Sequence, residues 1–130
     1  MNMKIPDFTG STILIAEDLL PNAEYLQITL MKTGAVILIA GNGEEAAALC
    51  REHPEISLVL MDAMMPKMNG FDAARQMREF NTTVPVIVLT AYVSTAAIRE
   101  TVDAKCNDFL AKPIGPEELF VVITKWLGKA

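Results

Sequence analysis

A doubly wound α/β fold with a five-stranded parallel sheet is the architecture this sequence predicts, on three observations. Five short apolar runs alternate with five segments of helical spacing. The first four runs are nearly continuous in Ile, Val and Leu, as parallel strands covered on both faces read. The chain has 130 residues, enough for one domain, and strict βα alternation within that length implies right-handed crossovers with helices on both sides of the sheet. The expected strand order is 2-1-3-4-5.

Residues 1–11 read as an N-terminal leader, and the domain itself is expected over 12–128. The first strand is Thr12-Ile13-Leu14-Ile15-Ala16. Asn22, Leu26 and Leu30 then recur every four residues, and Gly34 ends the first helix at a C′-like position. The second strand is 35–40. Asn42-Gly43 after it resembles a hairpin turn, yet Glu44 and Glu45 suit a helix N-terminus, where carboxylates meet the positive end of the dipole. Ala46, Leu49 and Cys50 carry that second helix. The third strand is 57–61, followed by a helix marked by Phe71, Ala74, Met77 and Arg78. The fourth strand is 84–89, and Ser94 is the expected N-cap of a helix marked by Ile98 and Val102. The short run 108–111 is the fifth strand. The last helix enters through Pro116 and two glutamates and is marked by Leu119, Val122, Ile123, Trp126 and Leu127.

Composition narrows the function classes. At 52% hydrophobic and 21% charged, the chain can build a packed core and is not a disordered one. A net charge of −5 argues against nucleic acid and anionic membrane as partners, since both need a basic face. No run approaches the ~20 apolar residues of a membrane span, and the N-terminus lacks an apolar signal core, so a cytoplasmic location is expected. Cys50 and Cys106 form no metal or redox motif and read as reduced structural thiols.

In a doubly wound sheet, ligands bind at the carboxyl ends of the strands, beside the switch point between strands 1 and 3. The chemically capable residues fall there. Glu17 and Asp18 follow strand 1, Asp62 ends strand 3, Thr90 ends strand 4, and Lys112-Pro113 follows strand 5. Two carboxylates ~4 Å apart repel by ~4 kcal/mol at an effective dielectric of ~20, so three gathered acids demand a proton or a cation. Hard oxygen donors with positions left for water and phosphate suit Mg²⁺. Lys112 could hold a phosphoryl oxygen as a point charge, and the Thr90 hydroxyl could donate to another. No base-activated Ser or Cys and no His cluster is evident, which leaves a carboxylate nucleophile attacking phosphorus.

The run Asp62-Ala63-Met64-Met65-Pro66-Lys67-Met68-Asn69-Gly70 resembles the D-x-x-M-P-x-M-x-G of the CheY-like receiver domains of two-component signalling. The acidic pair, Asp62, Thr90 and Lys112 stand in that family's order, and the resemblance covers about 12–127. It implies a flavodoxin-like fold and a Mg²⁺-dependent phosphorylation switch. Asp62 would accept a phosphoryl group from a histidine kinase or a histidine phosphotransfer protein. Mg²⁺ would be held by Asp18 directly, by Glu17 through water, by Asp62 and by the backbone carbonyl of Met64. Thr90 and Lys112 would contact the phosphoryl group. Phe109 would be the aromatic switch residue that follows Thr90, and the Lys112–Pro113 bond would be cis. The face of the fourth helix, fifth strand and fifth helix would change its affinity for a downstream protein, or for a second copy of the chain in a homodimer. Catalysis would be confined to the protein's own phosphorylation and dephosphorylation. A stand-alone regulator or a piece of a hybrid histidine kinase is expected, and Asn22 with the run 106–109 resembles the hybrid-kinase receivers.

Three positions depart from the family pattern. Lys105 stands where many relatives have Gly, at a cost of order 1 kcal/mol if φ there is positive. In the family, the positions of Met64 and Tyr92 flank the path of the hydrolytic water, and the resemblance therefore implies slow self-dephosphorylation for this bulky, apolar-leaning pair. The alternative function is a phosphorylation-independent interaction module. A phosphatase with an Asp nucleophile is disfavoured by Met64, where a second Asp would be needed, and a flavin site by the lack of a Ser/Thr/Gly-rich loop after strand 1. The Met61, Met64, Met65 and Met68 cluster reads as packing and loop, His53 as surface and Trp126 as packing.

Overall fold

The structure, a computed structural model, describes residues 4–128, so the first three residues of the expected leader lie outside the described residues. The elements are β1 Thr12–Ala16, α1 Leu20–Met31, β2 Val36–Ala40, α2 Gly43–Glu52, β3 Leu58–Asp62, α3 Gly70–Met77, β4 Val86–Thr90, α4 Thr95–Asp103, β5 Asp108–Ala111 and α5 Pro116–Leu127. The strands form one parallel sheet in the order β2-β1-β3-β4-β5. Order, strand count and helix count agree with the sequence.

The twofold period of a strand divides the core into two layers. Ile13, Ile15, Leu58, Leu60, Ile87 and Leu89 turn to one face and pack with Leu26 and Leu30 of α1 and Leu119 and Ile123 of α5. Leu14, Ala16, Val59, Met61 and Val86 turn to the other and pack with Ala46 and Cys50 of α2 and Ala73, Ala74 and Met77 of α3. β3 and β4 are buried along their whole length, as their unbroken apolar sequences predict. β2 is an edge strand and only partly covered, with Val36 exposed, so its apolar sequence overstates its burial.

Asn42 is an N-cap, accepting the Glu45 N–H at 2.8 Å, and the Asn-Gly pair opens α2 rather than a hairpin. Ser94 caps α4 by accepting the Ala97 N–H. The buried face of α1 runs through Ala23, Leu26, Thr29 and Leu30, and Asn22 lies off it, exposed. Ile98 and Val102, which mark the periodicity of α4, are 43% and 69% exposed; the helix buries Thr101 instead. Phe8, in the segment read as leader, is fully buried in the α1/α5 layer, and its N–H donates to the Thr33 carbonyl. Among the described residues, no helix is long and apolar enough to cross a membrane.

Candidate functional site: an acidic cluster at the carboxyl edge of the sheet

The strand register decides which residues meet. Ala16 pairs with Met61, Asp62 with Leu89, and Thr90 with Ala111, so β1, β3, β4 and β5 end at one edge. The residues at or just past those ends are Glu17, Asp18, Asp62, Thr90 and Lys112.

Glu17, Asp18 and Asp62 each bring a carboxylate oxygen within 4.8 Å of the others. Glu17 and Asp62 are buried and Asp18 is exposed, so the cluster has a closed floor and an open rim. The Lys112 ammonium lies 3.2 Å from a Glu17 oxygen and 3.2 Å from an Asp62 oxygen. Burial pushes the Glu17 carboxyl up to about 7; hydrogen bonding and charge repulsion from Asp62 add to the rise, against the Leu19 N–H and Lys112. Burial works against the Lys112 ammonium too, but the Asp62 and Glu17 carboxylates outweigh it and raise its pKa. The charge on Lys112, joined below about pH 7 by a proton on Glu17, offsets part of the repulsion among the carboxylates.

The loops hold this geometry by close backbone approach. A Cβ on Gly70 would stand 2.2 Å from the Asp62 carbonyl oxygen, and one on Gly43 would stand 2.1 Å from that of Met68. Helices α3 and α2 can begin where they do because glycine occupies both positions. The β3–α3 loop is tight: the Met64 N–H donates to an Asp62 carboxylate oxygen at 3.2 Å, and the Met68 N–H donates to the Pro66 carbonyl at 2.7 Å. The Met64 side chain is 77% exposed.

Thr90 is buried, and its hydroxyl donates to the Tyr92 carbonyl at 2.9 Å while accepting the Tyr92 N–H at 3.2 Å. Its free direction is thus taken up by the β4–α4 loop, which sequence alone did not suggest. Phe109 is half-buried on β5. The Lys112–Pro113 bond is cis, as expected. Trp126 does more than pack, since its indole N–H donates to Asp108 at 2.9 Å. Burial raises both thiols, Cys50 and Cys106, to about 11, in keeping with inert structural cysteines.

Two long-range contacts escaped the sequence reading, one beside the site and one at the opposite edge of the sheet. The Tyr25 hydroxyl of α1 donates to the Ile114 carbonyl at 2.8 Å. Arg78, at the end of α3, donates to the carbonyls of Lys105 and Asn81 and to the Asn107 side chain, which also accepts the Val86 N–H. Both join segments far apart in sequence, so no local spacing announces them.

The family model described as the response regulator receiver domain matches residues 13–124. The chain belongs to that family. Among solved structures, this receiver is similar to the receiver domain of Ssk1 from Saccharomyces cerevisiae, determined in complex with the histidine phosphotransfer protein Ypd1. The TM-score is 0.85 at 30% identity, covering 95% of this chain and 91% of that one. It is also similar to the receiver domain of the sensor histidine kinase PA1611 from Pseudomonas aeruginosa, with a magnesium ion coordinated in its active-site cleft. There the TM-score is 0.85 at 29% identity, over 93% of this chain and all of that one. The DNA-binding response regulator MtrA of Mycobacterium tuberculosis is 36% identical over 114 residues, 87% of this receiver, which spans about half (49%) of MtrA's length.

Proposed function

We propose that this receiver is a phosphorylation switch in which Asp62 takes a phosphoryl group from a histidine kinase or a histidine phosphotransfer protein. The observation that carries the reading is a buried Asp62 within a cluster of three carboxylates, with the Lys112 ammonium 3.2 Å away. The donor set, all hard oxygen with one open side, fits Mg²⁺. Asp18, Asp62 and the Met64 carbonyl would hold the ion directly and Glu17 through water. When bound, the ion would offset the charge of the carboxylates and of the incoming phosphoryl oxygens.

The chain's own residues supply the rest. An Asp62 carboxylate oxygen bonds to phosphorus as the bond from phosphorus to the donor's imidazole nitrogen breaks, and the electron pair returns to that ring. Lys112 is poised to hold a phosphoryl oxygen by charge, since it already faces Asp62. Thr90 can donate to another only by releasing the Tyr92 carbonyl. That exchange links phosphorylation to the β4–α4 loop, and Phe109 would change rotamer in the space Thr90 leaves. The α4-β5-α5 face then changes its affinity for a downstream protein or a second copy of the chain. This is a population shift driven by a local charge event. The neighbour crystallised with a phosphotransfer protein and the neighbour holding magnesium support the reading by analogy. On this reading the chain catalyses only its own phosphorylation and dephosphorylation, acts in the cytoplasm, takes no nucleic acid as partner and does not insert into a membrane.

Intact mass after incubation with acetyl phosphate tests this. One phosphoryl adduct is expected with Mg²⁺, lost with EDTA and absent from Asp62→Asn. If no adduct forms and neither Mg²⁺ nor beryllofluoride binds, the chain is instead a phosphorylation-independent docking module.

A further inference from the structure

We propose that the Tyr25 hydroxyl is a positioning group for Lys112, bracing the loop that carries this ammonium across the cleft between α1 and the β5–α5 loop. The inference rests on the phosphoryl-accepting reading above.

The position of the Lys112 ammonium follows from the backbone at 112–114. On its sheet side that backbone is fixed, because the Lys112 N–H donates to the Thr90 carbonyl at 2.8 Å. On the other side comes Pro113, which has no N–H to anchor. Between this segment and Asn22 and Tyr25 of α1 lies a cleft of about 610 Å³, open to solvent. Leu26, Leu89, Lys112, Pro113 and Ile114 line it, with Glu17 at the acidic cluster. Protein interiors hold their parts by close packing, and along this solvent-open cleft the 112–114 segment lacks packed neighbours on the α1 side. The Tyr25 hydroxyl spans from α1 to the Ile114 carbonyl at 2.8 Å. The bond joins positions 89 apart in sequence, and ties the helix that follows Glu17 and Asp18 to the loop that follows Lys112.

Tyr25 is 41% exposed, so water can replace its hydroxyl and the bond adds little to global stability. What it supplies is placement. Lys112 meets Asp62 as a point charge at 3.2 Å, and a displacement of about 1 Å at such a contact is felt strongly in phosphoryl binding.

The test compares the full chain with Tyr25→Phe, which keeps the ring and removes the O–H. Calorimetric titration with Mg²⁺ alone, then with beryllofluoride in saturating Mg²⁺, separates the metal carboxylates from Lys112. Expected are beryllofluoride affinity reduced roughly threefold to tenfold, Mg²⁺ affinity unchanged or tighter, and an unchanged melting temperature. Unchanged beryllofluoride affinity overturns the inference and leaves the proposed function standing. A parallel loss of Mg²⁺ and beryllofluoride affinity, or a lowered melting temperature, marks a general structural role and also overturns it. Failure of the unsubstituted chain to bind beryllofluoride overturns both.

Discussion

Among the described residues, Lys67 and Lys105 are the non-glycine positions with positive φ, at 67° and 58°. Lys67 sits in the loop after Asp62, at the centre of the three-residue turn closed by Met68 and Pro66, where backbone strain accompanies a functional geometry. Lys105 carries the same strain away from the acidic cluster, between α4 and β5, and its carbonyl accepts from Arg78. Lys105→Gly keeps that backbone bond and relieves the side-chain cost, so it should stabilise the protein by about 1 kcal/mol. A higher urea midpoint at an unchanged m-value is the expected reading, and an equal or lower midpoint contradicts it. Met64 and Tyr92, whose backbones bond to Asp62 and Thr90, are 77% and 81% exposed. We predict that Met64→Asn, by offering a polar group to the attacking water, shortens the lifetime of the Asp62 phosphoryl group. Mass spectrometry of the decaying adduct measures this, and an unchanged lifetime would sink the idea.

Elements differ in how firmly the core holds them. β3 and β4 are wholly buried, whereas α4 buries Thr101 and leaves Ile98 and Val102 to solvent. Its contacts include the Ser94 cap, the exposed Arg75–Glu100 pair that joins it to α3 at 2.5 Å, and the buried Ala104 at its end. Its apolar periodicity therefore belongs to the surface. Ile98→Ser with Val102→Ser is predicted to change stability by less than about 0.5 kcal/mol per site, the range for exposed positions. A combined loss of several kcal/mol in urea unfolding would show that these residues pack after all. A weakly buried α4 next to Thr90 is also the element best able to move when the Thr90–Tyr92 bonds are exchanged.

At the scale of the molecule, the acidic cluster couples stability to pH. The Glu17 carboxyl rises from its ordinary 4.5 to about 7, chiefly through burial. A group that binds its proton more tightly when folded contributes fully below its unfolded pKa, and that contribution is lost as pH climbs to the folded value. The metal-free protein should therefore lose stability from about pH 4.5 to about pH 7, and Glu17→Gln should flatten this limb. Urea unfolding at pH 5 and pH 7.5 measures it; a limb equally steep in both proteins would assign the effect to other groups. Mg²⁺ should raise the melting temperature more at pH 7.5 than at pH 5, because metal and proton compete for the same carboxylates.

The sequence by itself determined the strand order, the two-sided burial of β1, β3 and β4, the cap of α4, and which residues stand at the carboxyl edge. Those properties depend on hydrophobic period, on N-cap chemistry and on the rule that ligands gather at strand ends, all of them local or topological. Tertiary structure alone decided that Phe8 belongs to the core, that β2 is half bare, and that the apolar residues of α4 face solvent. It also decided that Thr90 is engaged by Tyr92 and that Tyr25 reaches Ile114. Burial of an apolar residue depends on what the rest of the chain brings to cover it. A hydrogen bond between residues 89 apart depends on how α1 and the β5–α5 loop pack, and neither segment carries that information in its own pattern.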